Sequence, residues 1–416
     1  MNIAIVGAGI VGVTTAYELA HDGHAVTVFE QRSTTAEDAS FATGGLLAPG
    51  PLVPWAAPGA CAPLSVFGRQ ATLHLGRSLS GTDLAWLRRW RRATHAYAQD
   101  STPQPPLRAL ERLARYSHAR IHALTESLGL EFERSTGALL LLRSPADALA
   151  LAPVVQALRE AGTPAHEVDA DTARRIEPGL SEETPLAGAL HLPEGEAGNC
   201  RQFALLLRQA AQELGAQFLF NARVEQLQGT PASIRLAGQA QAQPFDAVVL
   251  CAGAASAALL APLGQRLPLV ALHGCSISAP LREALHAPQS AVLDAQHQVS
   301  IVRLGQRVRI TGGAELGRKG SEPHAATLRM LYQVLADWFP GGAQLSGNLQ
   351  VWRGARAALP DGPPIVGSSG RPGLWLNLGH GASGWALACG SARALADTIA
   401  GRTPEISLDG LGVQRF

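Results

Sequence analysis

A chain of 416 residues is too long for one compact core and suits two closely associated domains. Hydrophobic residues at 46% against 16% charged mark a folded globular protein and exclude a disordered one. Lys and Arg total 34 against 33 Asp and Glu, a balance that gives no reason to expect a nucleic-acid partner.

In chain order, Asn2 to Val6 predicts a short apolar strand, Ile10 to His21 a packed helix and Ala25 to Phe29 a second strand. This βαβ unit calls for a parallel sheet with a right-handed crossover. The uncharged stretch Ala48 to Phe67 holds Pro49, Pro51, Pro54, Pro58 and Pro63, which forbid a membrane-spanning helix. It reads as a proline-rich active-site loop, followed by a solvated basic helix face of Arg88, Arg89, Arg91 and Arg92 around Trp90. The alternative is an apolar flap in peripheral contact with a bilayer, assisted by that basic cluster. Residues 80–180 read as mostly helical, with Leu107 to Leu128 the clearest run and Ala138 to Leu142 a strand. Helix Arg201 to Leu214, strands around Val224 and Ile234, and the buried strand Ala247 to Cys251 follow. From Leu267 to Gly312 several strands, with turns at Asp294 to Ser300 and Leu304 to Gln306, predict an antiparallel sheet. Helix Ala325 to Trp338, strand Leu374 to Leu378, a glycine-rich turn and a final helix near Ser383 to Ala400 complete the chain. The expected fold class is α/β with an α+β second domain. A Rossmann-like nucleotide-binding domain is assembled from discontinuous segments 1–50, 190–262 and 352–416. A substrate-binding domain of antiparallel sheet and helices, 51–189 and 263–351, is inserted between them.

Gly7, Gly9 and Gly12, with Ile10 and Val11 between them, form a GxGxxG directly after a strand and opening a helix. Its glycines permit a tight turn and let the backbone approach a pyrophosphate at the helix N-terminus. Glu30, followed by Gln31 and Arg32, ends the second strand where an acid hydrogen-bonds the ribose hydroxyls of a dinucleotide. Three further segments choose FAD over NAD. Cys251, Ala252 and Gly253 end an apolar strand in small residues. Gly379, His380, Gly381, Ala382, Ser383 and Gly384 lead from a strand into a helix whose N-terminus would stabilise negative charge on a reduced flavin. Ser40, Thr43, Gly44 and Gly45 sit a short loop after Glu30, where they would follow the ribityl chain.

Five dispersed cysteines, with no CxxC pair and no histidine spacing resembling a zinc site, predict reduced thiols and no metal. The nucleotide motif begins at Gly7 and leaves no room for a signal peptide. The expected location is cytoplasmic, with the inner face of the cytoplasmic membrane as the peripheral alternative.

Across nearly the whole length, the chain resembles the D-amino-acid oxidase superfamily of flavoproteins, and within it most closely the bacterial D-amino-acid dehydrogenase small subunits. The resemblance runs through the N-terminal fingerprint, Pro54 to Gly59, Ile176 to Leu180, Asn221 to Glu225 and His273 to Ile277. Its most specific parts are Trp352 to Gly367 and the run Gly379 to Ser391. The resemblance implies that Val224 touches the adenine through its backbone and that Gly379 to Gly384 face the isoalloxazine ring. It also implies that Arg356 grips the carboxylate of an amino-acid substrate and orients its α-hydrogen toward flavin N5. Hydride transfer would then give an imino acid, hydrolysed to a 2-oxo acid and ammonia. The electrons would pass to a quinone or another redox partner. His273 and His380 are further candidates for contact with flavin or substrate. Departures lie nearby: Ala357 replaces the proline that usually follows the arginine, and Thr43 stands where relatives often carry Asn. His273 and Cys275 stand where Lys and Tyr are frequent. An oxygen-using glycine or sarcosine type of oxidase, a dehydrogenase of a cyclic secondary amino acid, and an electron-relay subunit stay open as alternatives.

Overall fold

In the computed structural model, which describes residues 1–48, 55–56, 73–99, 105–229, 231–317, 320 and 322–416, the N-terminal strand Asn2–Val6 sends alternate side chains to opposite sides of a sheet. Ile3 and Ile5 enter one apolar cluster with Val13, Leu113, Phe203 and Leu387 from four covering helices. Ala4 and Val6 enter another with Val224, Ile234, Leu259 and Leu376. A strand buried on both faces needs apolar residues at every position, as AVVL at Ala247–Leu250 also has. The six-stranded sheet runs Ile365–Ser368, Leu374–Leu378, Ala247–Leu250, Asn2–Val6, Ala25–Phe29, Gln217–Leu219. Its pairings are parallel except the one between Ile365–Ser368 and Leu374–Leu378. Strands Val224–Gly229, Ala232–Leu236 and Gln243–Pro244 form a small antiparallel sheet beside it.

The second large sheet has ten strands among the described residues. Its path runs Gln350–Ala358, Val270–Pro280, Arg307–Leu316, Val299–Leu304, Ala291–Asp294, Arg134–Leu142, Gly188–Gly198, Leu46–Leu47. The expected antiparallel pattern holds apart from two parallel junctions: Ala291–Asp294 with Arg134–Leu142, and Leu73–Leu75 with Arg307–Leu316. Helix Ala325–Trp338 covers this sheet, and Trp338 donates its indole N–H to buried Asp294 at 2.8 Å. Strand Gln350–Ala358, whose residues from 352 the sequence reading joined to the nucleotide-binding segments, pairs with Val270–Pro280 along its whole length.

Residues 80–180 are mostly helical, as expected, with more strand than Ala138 to Leu142 alone. The strand at 138 begins already at Arg134, with an irregularity between Thr136 and Ala138, and His166–Val168 adds another strand. Strand Gly188–Gly198 was not expected, because Pro193, Gly195 and Gly198 hide its alternation. The expected turn after Asp294 is there: its Oδ1 accepts from His297 N–H at 2.9 Å, which reverses the chain before Val299. Of the proline-rich loop, only Ala48, Trp55 and Ala56 fall inside the described residues. Trp90 does not stand on the basic surface. It is 4% exposed, stacked between Trp86 and Trp55, while Arg88, Arg89, Arg91 and Arg92 are exposed. Among the described residues, no helix is long and apolar enough to cross a membrane. The cysteines Cys200, Cys251, Cys275 and Cys389 are buried and free.

Three helices of the parallel sheet are tied by one buried carboxylate. Glu18, on helix Ile10–His21, accepts from Arg120 Nε at 2.7 Å and Nη2 at 2.8 Å, and from Arg393 Nη1 at 2.8 Å. Arg120 belongs to helix Pro105–Leu128 and Arg393 to helix Gly384–Ile399. Glu18→Gln would leave the Arg120 guanidinium without its charge partner, while Arg393 keeps Asp22 and Asp397. It is expected to destabilise the fold by about 3 kcal/mol, read from urea unfolding.

Candidate active site

Gly7 leaves the first strand at φ +103°, and the Cys251 carbonyl lies where its Cβ would be, 2.6 Å from that position. Gly12 is under a tighter constraint: a Cβ there would stand 1.9 Å from the Gly7 carbonyl oxygen. These approaches press the first turn, the helix Ile10–His21 and the end of strand Ala247–Leu250 together. The N–H groups of the helix's first turn have no intrahelical acceptors. Ile10 N–H finds one at 3.0 Å in Ser40 Oγ. Glu30 fixes the end of the second strand: its carboxylate accepts from Ala8 N–H at 2.7 Å and Arg32 N–H at 2.8 Å.

Around this turn lies a cleft open to solvent. Gly7, Gly9, Ile10, Val11, Glu30, Gln31, Arg32, Ser40, Val224, Cys251, Ala252 and Gly253 line it. So do Arg356, Gly379, His380, Gly381 and Gly384. A second cavity of about 820 Å³ shares Ile10, Ser40, Arg356, Gly381 and Gly384, and adds Thr43, Gly44, Gly45 and Ala382. The two are therefore neighbours, with Arg356 at their junction. Of the residues singled out in the sequence, Gly12, Ser383 and His273 do not line either space. Gly12 packs on Gly7, Ser383 is buried at the start of helix Gly384–Ile399, and His273 sits on strand Val270–Pro280 opposite Glu315 and Ala355.

The second cavity also holds residues that sequence reasoning passed over: Ser276, Ser300, Thr311 and Trp352. They come from four strands of the large sheet, and their signal was weak. Small hydroxyl residues within otherwise apolar strands mark inward polar positions only once the pairing is known. Ser276 Oγ, Thr311 Oγ1 and Trp352 Nε1 are buried with no hydrogen-bond partner within the protein, as is Asn377 Oδ1 in the first cleft. Unsatisfied buried polar atoms are costly, and four of them around one space mark a place for a polar ligand.

Arg356 is enclosed by protein, and the surface it retains faces the cavities. Its Nη1 donates to the Gly313 carbonyl at 3.1 Å. Among the described residues it has no ion-pair partner. The nearest carboxylate, Glu315, is paired with Arg353 at 3.1 Å. Burial without a counter-ion lowers the Arg356 guanidinium to about 10, still charged at neutral pH. Space for the guanidinium depends on Gly274, where a Cβ would stand 2.1 Å from Nη2. Arg309, likewise lowered to about 10 by burial, donates to the Thr43 carbonyl at 3.3 Å and so holds the loop beside the second cavity.

His380 is 5% exposed, and burial lowers its pKa to about 3, so the ring is neutral. Ser391 Oγ donates to the Ala388 carbonyl at 3.1 Å and lies 3.1 Å from His380 Nε2. The tautomer that satisfies this chain carries its proton on Nε2. Cys275 is pushed up to about 12 by burial and by Glu315, whose Oε1 accepts from its Sγ at 3.6 Å, so it is a protonated thiol. Burial also lowers His273, and its Nδ1 has no partner.

A glycine turn between a parallel strand and a helix, an acid ending the second strand and a long two-part cleft together define a dinucleotide-binding redox protein. A model of the FAD dependent oxidoreductase family matches residues 2–398, and the chain belongs to that family. It is 39% identical over 423 residues to a D-amino acid dehydrogenase of Cereibacter sphaeroides, covering 100% of this chain and 95% of the relative. It is 36% identical over 428 residues to one of Bradyrhizobium diazoefficiens, covering 100% and 99%. Among solved structures, glycine oxidase from Geobacillus kaustophilus superposes with a TM-score of 0.78 at 22% identity, covering 100% of this chain and 98% of that one. L-Proline dehydrogenase from P. horikoshii gives 0.75 at 18% identity, covering 100% and 97%. The fold is thus shared with these flavoenzymes.

The residues present fit FAD. Gly7 and Gly9 leave the backbone bare at the helix N-terminus, and unsatisfied polar atoms lie in both spaces, Asn377 Oδ1 in the first and Ser276 Oγ, Thr311 Oγ1 and Trp352 Nε1 in the second. Gly12→Ala is expected to abolish flavin retention, seen as loss of the visible flavin spectrum in a protein that still folds by circular dichroism. His380 gives a pH prediction. Its folded value of about 3 lies below the ordinary 6.5, so between these values only the unfolded chain binds the extra proton. Stability is fully present above pH 6.5 and falls as pH drops toward 3. His380→Asn should flatten that acid limb in a series of melting temperatures.

Proposed function

We propose that the protein oxidatively deaminates D-amino acids, holding the substrate carboxylate on Arg356 at the junction of the two cavities. The observation that carries this reading is the surplus positive charge: two buried arginines, Arg353 and Arg356, face one carboxylate, Glu315, which Arg353 already occupies. A substrate carboxylate is the anion of matching size, charge and geometry for the second guanidinium. The full-length relatives named D-amino acid dehydrogenase support the D configuration. Bound flavin supplies a two-electron acceptor for the α-hydrogen.

The chain's own residues orient and exclude. Arg356 fixes the carboxylate end, Gly379, Gly381 and Gly384 allow close approach of the cofactor, and Trp352 and Trp385 wall the second cavity. Among the described residues no His, Asp or Glu lines that cavity, and the Cys275 thiol there stays protonated. No general base is required of the described residues if the amine arrives already neutral. The dehydrogenase names of the relatives support a quinone or other redox partner as electron acceptor. The exposed arginines of helix Gly81–Gln99 support peripheral contact with an anionic membrane surface on the cytoplasmic side, with Trp90 taking no part.

Anaerobic titration of the FAD-loaded protein with D-alanine, D-proline, glycine and the matching L-isomers should bleach the flavin with D-isomers only. Bleaching by L-isomers would remove the stereochemical assignment. Peroxide formed in equal amount to substrate consumed would move the acceptor to oxygen. Arg356→Ala should lower kcat/KM by about 100-fold or more while leaving the oxidised flavin spectrum in place. Gly274→Ala, which displaces the same guanidinium without removing it, should raise KM by about tenfold. Unchanged kinetics in both variants would sink the carboxylate role and favour an electron relay.

A further inference from the structure

Away from the cleft, His118 and His122 lie four residues apart on helix Pro105–Leu128, so both rings leave the same face. Opposite them stands Glu196 on strand Gly188–Gly198. One nitrogen from each ring and a carboxylate oxygen lie within 4.8 Å of one another. We propose that His118, His122 and Glu196 form a binding site for a divalent transition-metal ion of the zinc class.

Two observations carry this beyond a chance cluster. First, His118 Nε2 and Glu196 Oε2 are buried, have no hydrogen-bond partner and face each other across 3.9 Å. A shared proton does not bridge that gap, since an N–H···O bond ends near 3.2 Å. A metal ion does. Ligand bonds of about 2.0–2.1 Å in tetrahedral geometry set donor atoms about 3.3 Å apart, so small side-chain rotations close the site. Second, Glu196 is 6% exposed and its other oxygen lies 3.1 Å from His122 Nε2. A carboxylate this buried, with one oxygen unsatisfied and two imidazoles converging on it, is an incomplete structure without a cation.

The geometry also states the ion's class. Two imidazoles and one carboxylate select zinc and its neighbours over calcium and magnesium, which take all-oxygen shells. The His122 side chain is 45% exposed, so the fourth coordination position opens to water. The ion would clamp the helix to the sheet at a sensitive place. Glu196 pairs in register with Leu47, two residues beyond Gly45 of the second cavity. The sequence signal was the HxxxH spacing within an amphipathic helix. It escaped notice because the third ligand lies 74 residues further on, in the strand hidden by its glycines and proline.

The test uses the FAD-loaded full chain, stripped with EDTA, dialysed and titrated at pH 7 with zinc chloride against a chromophoric chelator. His122→Ala, on the exposed ligand, and Glu196→Gln are titrated in parallel. Wild-type protein is expected to take up one equivalent with micromolar or tighter affinity, and excess magnesium or calcium should not displace it. Each variant should bind at least about tenfold more weakly while keeping the wild-type flavin spectrum, which certifies its fold. If one variant fails to fold, the other decides alone. Zinc should raise the melting temperature of the wild type and leave the variants unmoved. Wild-type protein that takes up no zinc, or variants that bind it as tightly as wild type, would overturn the site.

Discussion

The close approach of Gly7, Gly12 and the Cys251 carbonyl is the contact on which the cleft depends. It brings the first strand, the first helix and a strand almost 250 residues away to within a single atomic layer, and any side chain at 7 or 12 would wedge them apart. The hydroxyls behind it complete the join. Thr15 Oγ1 accepts from Asn377 Nδ2 at 3.1 Å and from Cys251 Sγ at 3.9 Å, while Thr14 Oγ1 donates to the Ala388 carbonyl at 3.2 Å. A helix exposing small hydroxyl residues on its inner side thus holds segments from the beginning, middle and end of the chain around one turn.

Against that neutral, tightly packed floor, charge is placed sparingly. The buried groups of the site are a guanidinium lacking a counter-ion, a neutral imidazole and a protonated thiol. Each is in the state that burial favours, except Arg356, which keeps its charge because guanidinium is so reluctant to lose it. Desolvation that would neutralise a lysine leaves an arginine strongly attracting any anion that fits. Gly274 shows the same economy from the steric side: the missing side chain is the space in which the guanidinium lies.

Much of this was legible in the sequence because it rests on local pattern. The GxGxxG unit, Glu30, Cys251 to Gly253 and the turn Gly379 to Gly384 each carry their reason in adjacent residues, and most of their residues reach the first cleft; Ala382 lines the second cavity, and Gly12 and Ser383 line neither. The losses came where the reason lies across a pairing. Ser276, Thr311 and Trp352 are polar positions of strands whose inward face depends on neighbours far along the chain. Gly188–Gly198 reads as a loop, because its glycines sit where bulges and close approaches need them. Trp90 was misplaced for a related reason: four arginines around it suggested a surface, but on a helix the residues beside it in sequence point elsewhere. His273 was singled out by its position in a recognisable segment, yet the cavity takes its lining from the next residues of the strand, Gly274, Cys275 and Ser276, past a pairing irregularity between His273 and Cys275.

The strand order of the parallel sheet has a consequence for how the protein comes into being. Asn2–Val6 is made well before Ala247–Leu250, its neighbour on one side, and Leu374–Leu378 beyond that. At ribosomal speeds of about 5–20 residues per second, the N-terminal strand waits roughly 20–70 s for the sheet to be completed. Until Ala247–Leu250 arrives, one edge of the apolar first strand and the glycine turn at Gly7 lack their partner. The full lining of the cleft, drawn from Gly7 as well as from Gly379 and Gly381, is therefore assembled only after Leu374–Leu378 has been made.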